Sequence, residues 1–166
     1  AANTNVVAGT KTVTVVGLAG QMMTNQVYDV ASGILTSQEI YSDYDDQLRP
    51  RRVTYLDGTY TQTSFGCCGP DNVTDRDGIA TSYTYDELKR KISETRLGIT
   101  FGYVYDAAGQ VIKTTRTGTN GNTIFIQQAA YDLAGRIIAE TNAVGVVTSY
   151  AYSTNSDGMN LKTTTM

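Results

Sequence analysis

The sequence predicts an all-β protein: tandem β-hairpins forming an extended, curved antiparallel sheet or a solenoid-like array. Three observations predict it. The 166 residues include 12 Tyr and 16 Gly, with two Pro and no Trp or His. Tyr, Thr, Val and Ile suit half-buried pleated surfaces, and Gly and Asn suit tight turns. Tyr-Asp pairs recur at near-regular spacing, which is the mark of a repeat architecture. Turn-forming residues follow each recurrence, as in "DAAG", "DLAG", "LDGT" and "RDGI".

Residues 1–25 read as one β-hairpin turning at "GLAG", without a Tyr-Asp pair. Residues 26–166 read as about seven repeats of roughly 16–26 residues, each a hairpin. Their anchors are Tyr28, Tyr44, Phe65, Tyr85, Tyr105, Tyr131 and Tyr152, spaced 16, 21, 20, 20, 26 and 21 residues apart. The paired acids are Asp29, Asp45, Asp86, Asp106 and Asp132. Other columns keep the same register. Arg49, Arg90, Gln110 and Arg136 lie five residues after an anchor, and Thr54, Thr95, Thr115 and Thr141 ten after. Gly58, Gly78, Gly98, Gly118 and Gly145 lie 13 or 14 after.

One unit is legible in physical terms. Asp first and Gly fourth are the preferred ends of a type I turn, and the Asp carboxylate accepts from N–H groups within it. Asp106 with Gly109 and Asp132 with Gly135 fit this pattern. The strand after the turn alternates imperfectly, as in "RIIAET" and "QVIKTT". A second turn comes at the later Gly, and the chain returns through Tyr-x-Tyr, whose rings share one face. Successive units are expected to stack these rings into ladders, each cross-strand pair contributing roughly 0.2–1 kcal/mol. "GTNGNT" in the longest repeat reads as an extended loop. At this length one domain with a sizeable core is expected.

Composition excludes several functions. A net charge of −3 leaves no basic footprint for nucleic acid. No apolar run is long enough for a transmembrane helix, and there is no signal-peptide pattern. The chain opens on "AANTNVV" rather than Met, as expected of a processed product or a piece of a longer chain. Without His, the Ser-His-Asp and Cys-His arrangements and most zinc sites are ruled out. No phosphate-binding or dinucleotide loop is present, so no cofactor is expected.

The stretch "YDLAGRIIAETNAVGVVTSYAYS" (131–153) combines Tyr-Asp-x-x-Gly-Arg, a Thr, a Gly-centred turn and Tyr-x-Tyr. It resembles the YD repeat of RHS-repeat proteins, and the resemblance covers nearly all of residues 26–166. "YDAAGQ" departs by Gln110 for Arg, "YDELKR" and "YDDQLR" lose the turn Gly, and "FGCCGPDNVTDRDG" loses the Tyr-Asp pair. The resemblance implies a large secreted or surface-exposed protein, in bacterial toxins a β-sheet shell around a toxic domain and in teneurins an adhesion shell. It implies an extracellular or cell-surface location, bacterial in source. Seven repeats are too few for a whole shell, so the chain reads as a wall segment.

Candidate sites outside the repeat motif are few. The adjacent Cys67 and Cys68 invite a vicinal disulfide, a cross-link or a reduced pair. Because α-carbons in an ordinary disulfide lie about 5.5–6 Å apart, a partner outside this chain is the expectation if a bond forms. A turn of small residues without chemistry is the plainer reading. Asp71, Asp75 and Asp77, and Asp43, Asp45 and Asp46, hint at Ca²⁺, but neither group fits the EF-hand spacing. No metal site is expected, and these acids read as turn residues. Asn72-Val73-Thr74 has the form of a glycosylation sequon. The Tyr rows would stack on sugars if exposed, although a packing role is the simpler reading.

Two function classes are compatible with these features, neither enzymatic. The first is a structural repeat segment that builds a shell or scaffold to enclose or display a toxin or effector. The second is a self-assembling extracellular filament: about fourteen strands give roughly 65–70 Å of sheet with two open edges. Head-to-tail stacking of such edges gives an open homo-oligomer. Glycan or receptor binding on an exposed face is a third class. The expected partners are neighbouring repeats of the same or a parent chain.

Overall fold

The computed structural model describes residues 8–154 and 160–165. Residues 1–7 of the expected N-terminal hairpin, "AANTNVV", and residues 155–159 and 166 of the last expected repeat lie outside the described residues. The fold is all-β. Among the described residues fourteen strands follow one another in sheet order as in sequence, β1 to β14, in an open antiparallel sheet. No helix occurs among the described residues. The chain divides into two units between Ser82 and Tyr83.

The first unit holds β1 (Thr10–Val16), β2 (Met22–Asp29), β3 (Leu35–Tyr44), β4 (Pro50–Tyr55), β5 (Tyr60–Phe65), β6 (Pro70–Thr74) and the start of β7 (Ala80–Tyr85). The turns 17–21, 45–49 and 66–69 stand at one end of its strands, and 29–34, 55–59 and 75–79 at the other. The second unit holds the rest of β7 and β8 (Lys91–Arg96), β9 (Ile99–Tyr105), β10 (Val111–Thr117), β11 (Thr123–Tyr131), β12 (Ile137–Asn142), β13 (Val147–Thr154) and β14 (Asn160–Thr165). Its turns at 86–90, 106–110 and 132–136 stand at one end, and those at 97–98, 118–122 and 142–146 at the other.

Most turns share one backbone solution. In the turn opened by Asp106, Gly109 N donates to Asp106 O (3.1 Å) and Asp106 N donates to Gln110 O (2.9 Å). This is a type I turn closed by a residue in the left-handed region, a three-residue hairpin loop. The fourth residue carries the positive φ: 85° at Gly109 and 77° at Gly135. The two turns lacking that Gly keep the same backbone, with φ of 60° at Leu48 and 63° at Lys89. "GTNGNT" forms the same tight turn, Gly121 N donating to Gly118 O (3.0 Å), and not the extended loop expected. The extra residues of the longest repeat lengthen its strands, to seven residues in β10 and nine in β11.

The imperfect alternation after the turns has a cause. Tyr105 pairs with Val111 and Val104 with Lys113, leaving Ile112 as an extra residue. Tyr131 pairs with Ile137 and Ala130 with Ala139, leaving Ile138 extra. Each is a β-bulge, which places two consecutive apolar residues opposite one partner and shifts the face of the residues beyond it.

The expected core does not form among the described residues. Ala129, 8% exposed, is the one buried hydrophobic residue among those described. Within each unit the strands make one layer, so side chains gain cover only from neighbours on the same face and remain half-buried. The sheet is held by its ladder, its turns and its surface contacts rather than by a packed interior.

Candidate functional site

The Tyr-Asp motif builds a repeated clamp at one end of the strands. In the 132–136 turn, Asp132 Oδ1 accepts from Ala134 N and Arg136 N, both 2.9 Å. Its Oδ2 accepts from Arg136 Nε at 2.7 Å. The Asp45 turn repeats this with Gln47 N, Arg49 N and Arg49 Nε, and the Asp86 turn with Arg90 N and Arg90 Nε. The Arg136 N–H, and then its guanidinium, hold the Asp132 carboxyl below the usual carboxylate range. The Arg90 N–H leads the same effect at Asp86. Where Gln110 stands for Arg, its Nε2 reaches Asp106 Oδ2 only at 3.3 Å.

The arginine of one clamp also covers the aromatic anchor that follows it. The Arg49 guanidinium carbon sits 4.2 Å from the Phe65 ring centre, Arg90 4.7 Å from Tyr105, and Arg136 4.5 Å from Tyr152. Thus cations occupy ring faces that were expected to stack on each other. The anchor hydroxyl closes the link: Tyr105 donates to Lys91 O (2.6 Å), Tyr131 to Val111 O (3.1 Å) and Tyr152 to Ile137 O (2.9 Å). Each acceptor directly follows the Arg or Gln of the preceding turn. Tyr44 likewise donates to Met22 O, just after the 17–21 turn. Asp fixes the turn, Arg joins it to the next ring, and that ring ties back to the strand it came from. The complete clamp uses one Asp, one Arg and one Tyr, as in Asp86, Arg90 and Tyr105 and in Asp132, Arg136 and Tyr152.

Tyrosines further along the strands carry a second network. Tyr41 donates to Glu39 Oε2 at 2.5 Å, which pushes the phenol up to about 12. Tyr150 donates to Glu140 Oε2 at 2.6 Å. Lys91 Nζ pairs with Glu94 Oε2 at 2.6 Å and lies 5.1 Å from the Tyr103 ring centre. Lys162 Nζ lies 3.9 Å from the Tyr150 ring centre. Of these charges, Lys91 and Glu94 form an ion pair, while Glu39 and Glu140 accept from phenols.

The remaining candidates are placed differently. Tyr28 and Asp29 form a turn at the opposite end of the strands from Tyr44-Asp45 and Phe65, and Asp29 accepts from Ser32 N at 2.7 Å. The in-register neighbour of the 45–49 turn is "GLAG", where Gly17 N donates to Gln21 O (2.7 Å). Asp75 Oδ1 accepts from Asp77 N and Ile79 N, so it serves its own turn. Among the described residues no group of three or more His, Cys, Asp or Glu could hold a metal ion. Asn72 lies within β6, opposite Ser64 and Ser82, with Oδ1 buried and without a hydrogen-bond partner. Cys67 and Cys68 are bonded to each other rather than to an outside partner, with α-carbons 3.8 Å apart.

The chain matches no protein-family model and no curated protein sequence. It is similar in fold to solved toxin assemblies. Over 89% of this chain it superposes on a mutant Photorhabdus luminescens Tc holotoxin pore with a TM-score of 0.69 and 17% identity. A TcdB2-TccC3-Cdc42 structure matches 94% of the chain at a TM-score of 0.56, also at 17% identity. A TcdB2-TccC3-TEV structure matches 89% at 0.51. The chain spans 9–11% of the length of the chains it matches. At this identity the likeness is one of fold. No helix among the described residues is long and apolar enough to cross a membrane.

Proposed function

We propose that this chain is a structural, non-enzymatic stretch of YD/RHS-type repeats, a wall segment of a large secreted or cell-surface bacterial protein. Its sheet encloses or displays a toxic or effector part, and its partners are further repeats on either side. The observation that carries this reading is the clamp that links Asp45, Asp86 and Asp132 through Arg49, Arg90 and Arg136 to the next aromatic anchor. It makes these repeats depend on their neighbours, which is the energetic logic of an array that extends by adding units. The fold likeness to Tc toxin assemblies supports it, and so does the near absence of buried side chains among the described residues.

End-to-end stacking into a filament is the second reading. It rests on β1 and β14, each hydrogen-bonded to one neighbour only in the sheet order. Open edges of this kind pair with further strands. Electron microscopy of the native material separates the two. Discrete hollow particles are expected, and continuous fibres with a subunit repeat would overturn the wall reading in favour of the filament.

A further inference from the structure

The turns opened by Asp45, Asp86, Asp106 and Asp132 are each pinned by a carboxylate that accepts backbone N–H groups. The 66–69 turn stands at the same end of its unit's strands as 45–49 but lacks that carboxylate, because Gly66 takes the place of Asp. It is also one residue shorter. Phe65 pairs with Pro70, whereas Tyr44 pairs with Pro50, and Gly66 N donates to Gly69 O at 2.9 Å. Cys67 and Cys68 are the whole loop between those glycines, and the bond between them spans it. A covalent link stands where the turns opened by Asp45, Asp86, Asp106 and Asp132 have a carboxylate.

The surroundings fit this substitution. A side chain on Gly66 would collide with the carboxylate of Asp71, which folds back from β6 over the turn. Cys67 is an exposed residue and Cys68 a half-buried one, which makes Cys67 the side of the bond that faces solvent more. Access and attacking-thiol chemistry set the rate of disulfide exchange.

We propose that Cys67–Cys68 is a reducible covalent clamp, a modification site for thiol–disulfide exchange with a dithiol. One thiolate of the dithiol attacks Cys67 Sγ. The S–S bond breaks, a mixed disulfide forms, and Cys68 leaves as a thiolate that takes up a proton. The second thiolate of the dithiol then attacks its own sulfur in the mixed disulfide and releases Cys67 as a thiol. Two electrons pass to the protein, and the dithiol departs as a cyclic disulfide. The product is a vicinal dithiol, which condenses with an arsine oxide, both sulfurs bonding to the arsenic and its oxygen leaving with the two thiol protons as one water. Reduction removes the link that spans this loop while the Asp-held turns keep theirs, so it loosens one turn of the array selectively.

The test uses native protein, dithiothreitol as the dithiol, and no denaturant. As isolated, the protein is expected to resist alkylation at both cysteines and to be lighter by two hydrogens than after reduction. After reduction both cysteines alkylate, and phenylarsine oxide adds once and blocks both. Amide exchange is expected to rise several-fold within residues 65–70 and to stay unchanged at 132–136. The Cys67→Ser/Cys68→Ser variant should show the reduced exchange pattern without reductant. Two alkylable thiols in air-isolated protein would overturn the proposal, as would a disulfide-linked dimer, a bond that yields only after denaturation, or exchange unaltered by reduction.

Discussion

Replacing Lys89 with glycine should stabilise the protein, although it deletes a charged side chain and adds none. Lys89 is exposed and holds a φ of 63°, in the turn position that Gly109 and Gly135 fill with φ of 85° and 77°. A non-glycine residue in the left-handed region costs about 1–2 kcal/mol. Glycine loses roughly 0.5–1 kcal/mol more in backbone entropy on folding than alanine does. The difference leaves Lys89→Gly more stable by about 0.5–1 kcal/mol, which is a rise of roughly 1–4 °C in Tm for a chain of this size. Leu48→Gly should behave alike, since Leu48 has a φ of 60°. Gly109→Ala supplies the opposite sign. Its added Cβ would meet open space, so its cost of about 1 kcal/mol comes from backbone conformation alone. Urea unfolding followed by circular dichroism reads the three variants as shifts in midpoint at constant slope. A lower midpoint for Lys89→Gly, or no change for Gly109→Ala, would refute the left-handed assignment and the hairpin geometry built on it.

Gln110→Arg should repair the weakest clamp, shortening the 3.3 Å link to Asp106 and placing a cation over Tyr131, with a gain of about 0.5–1 kcal/mol in urea unfolding. Asp132→Ala should cost on the order of 1 kcal/mol, while Asp132→Asn should cost less. Asn142 already shows why: its Oδ1 accepts from Val144 N (3.1 Å) and Val146 N (3.0 Å) in an equivalent turn. Asp86 and Asp132 have folded pKa values below the ordinary 3.8, so their stabilisation is complete above that value and is lost as pH falls through the folded pKa. Midpoints measured across pH should fall on that acid side, less steeply in Asp132→Asn. Tyr41 runs the other way. Raised from 10.0 to about 12, it stabilises fully below pH 10 and loses that contribution as pH climbs toward 12, a limb that Tyr41→Phe should flatten.

The repeat was legible in the sequence because local chemistry writes it. Asp132, Gly135 and their counterparts act within five residues, and turn propensity finds them. The arginine column was visible too, but its role was not. Arg136 acts on Asp132 beside it and on Tyr152, 16 residues away, and only strand pairing brings that ring near. Ile112 and Ile138 looked like flawed alternation because a bulge adds a residue that a strict two-residue period cannot hold. The left-handed Leu48 and Lys89 carry no signal at all, since nothing in either residue type favours that conformation. Tyr28-Asp29 illustrates the converse: the pair matches the motif in letters yet turns at the other end of its strands. The expected core was read from chain length, which assumes two packed layers, and a one-layer sheet breaks that assumption.

The wall reading makes one face of the sheet a lining and the other an exterior. β13 offers adjacent reporters on opposite faces, Thr148 half-buried beside Tyr150 and Ser149 exposed. Thr148→Cys and Ser149→Cys, each in a Cys67→Ser/Cys68→Ser background and placed in the proposed larger repeat protein, can be labelled in the native assembly with a maleimide carrying a large polyethylene glycol chain. A closed wall admits that reagent to one face only, so one of the two variants should label and the other should label only after unfolding. Equal labelling of both in the native state would contradict enclosure and leave a sheet open to solvent on both sides.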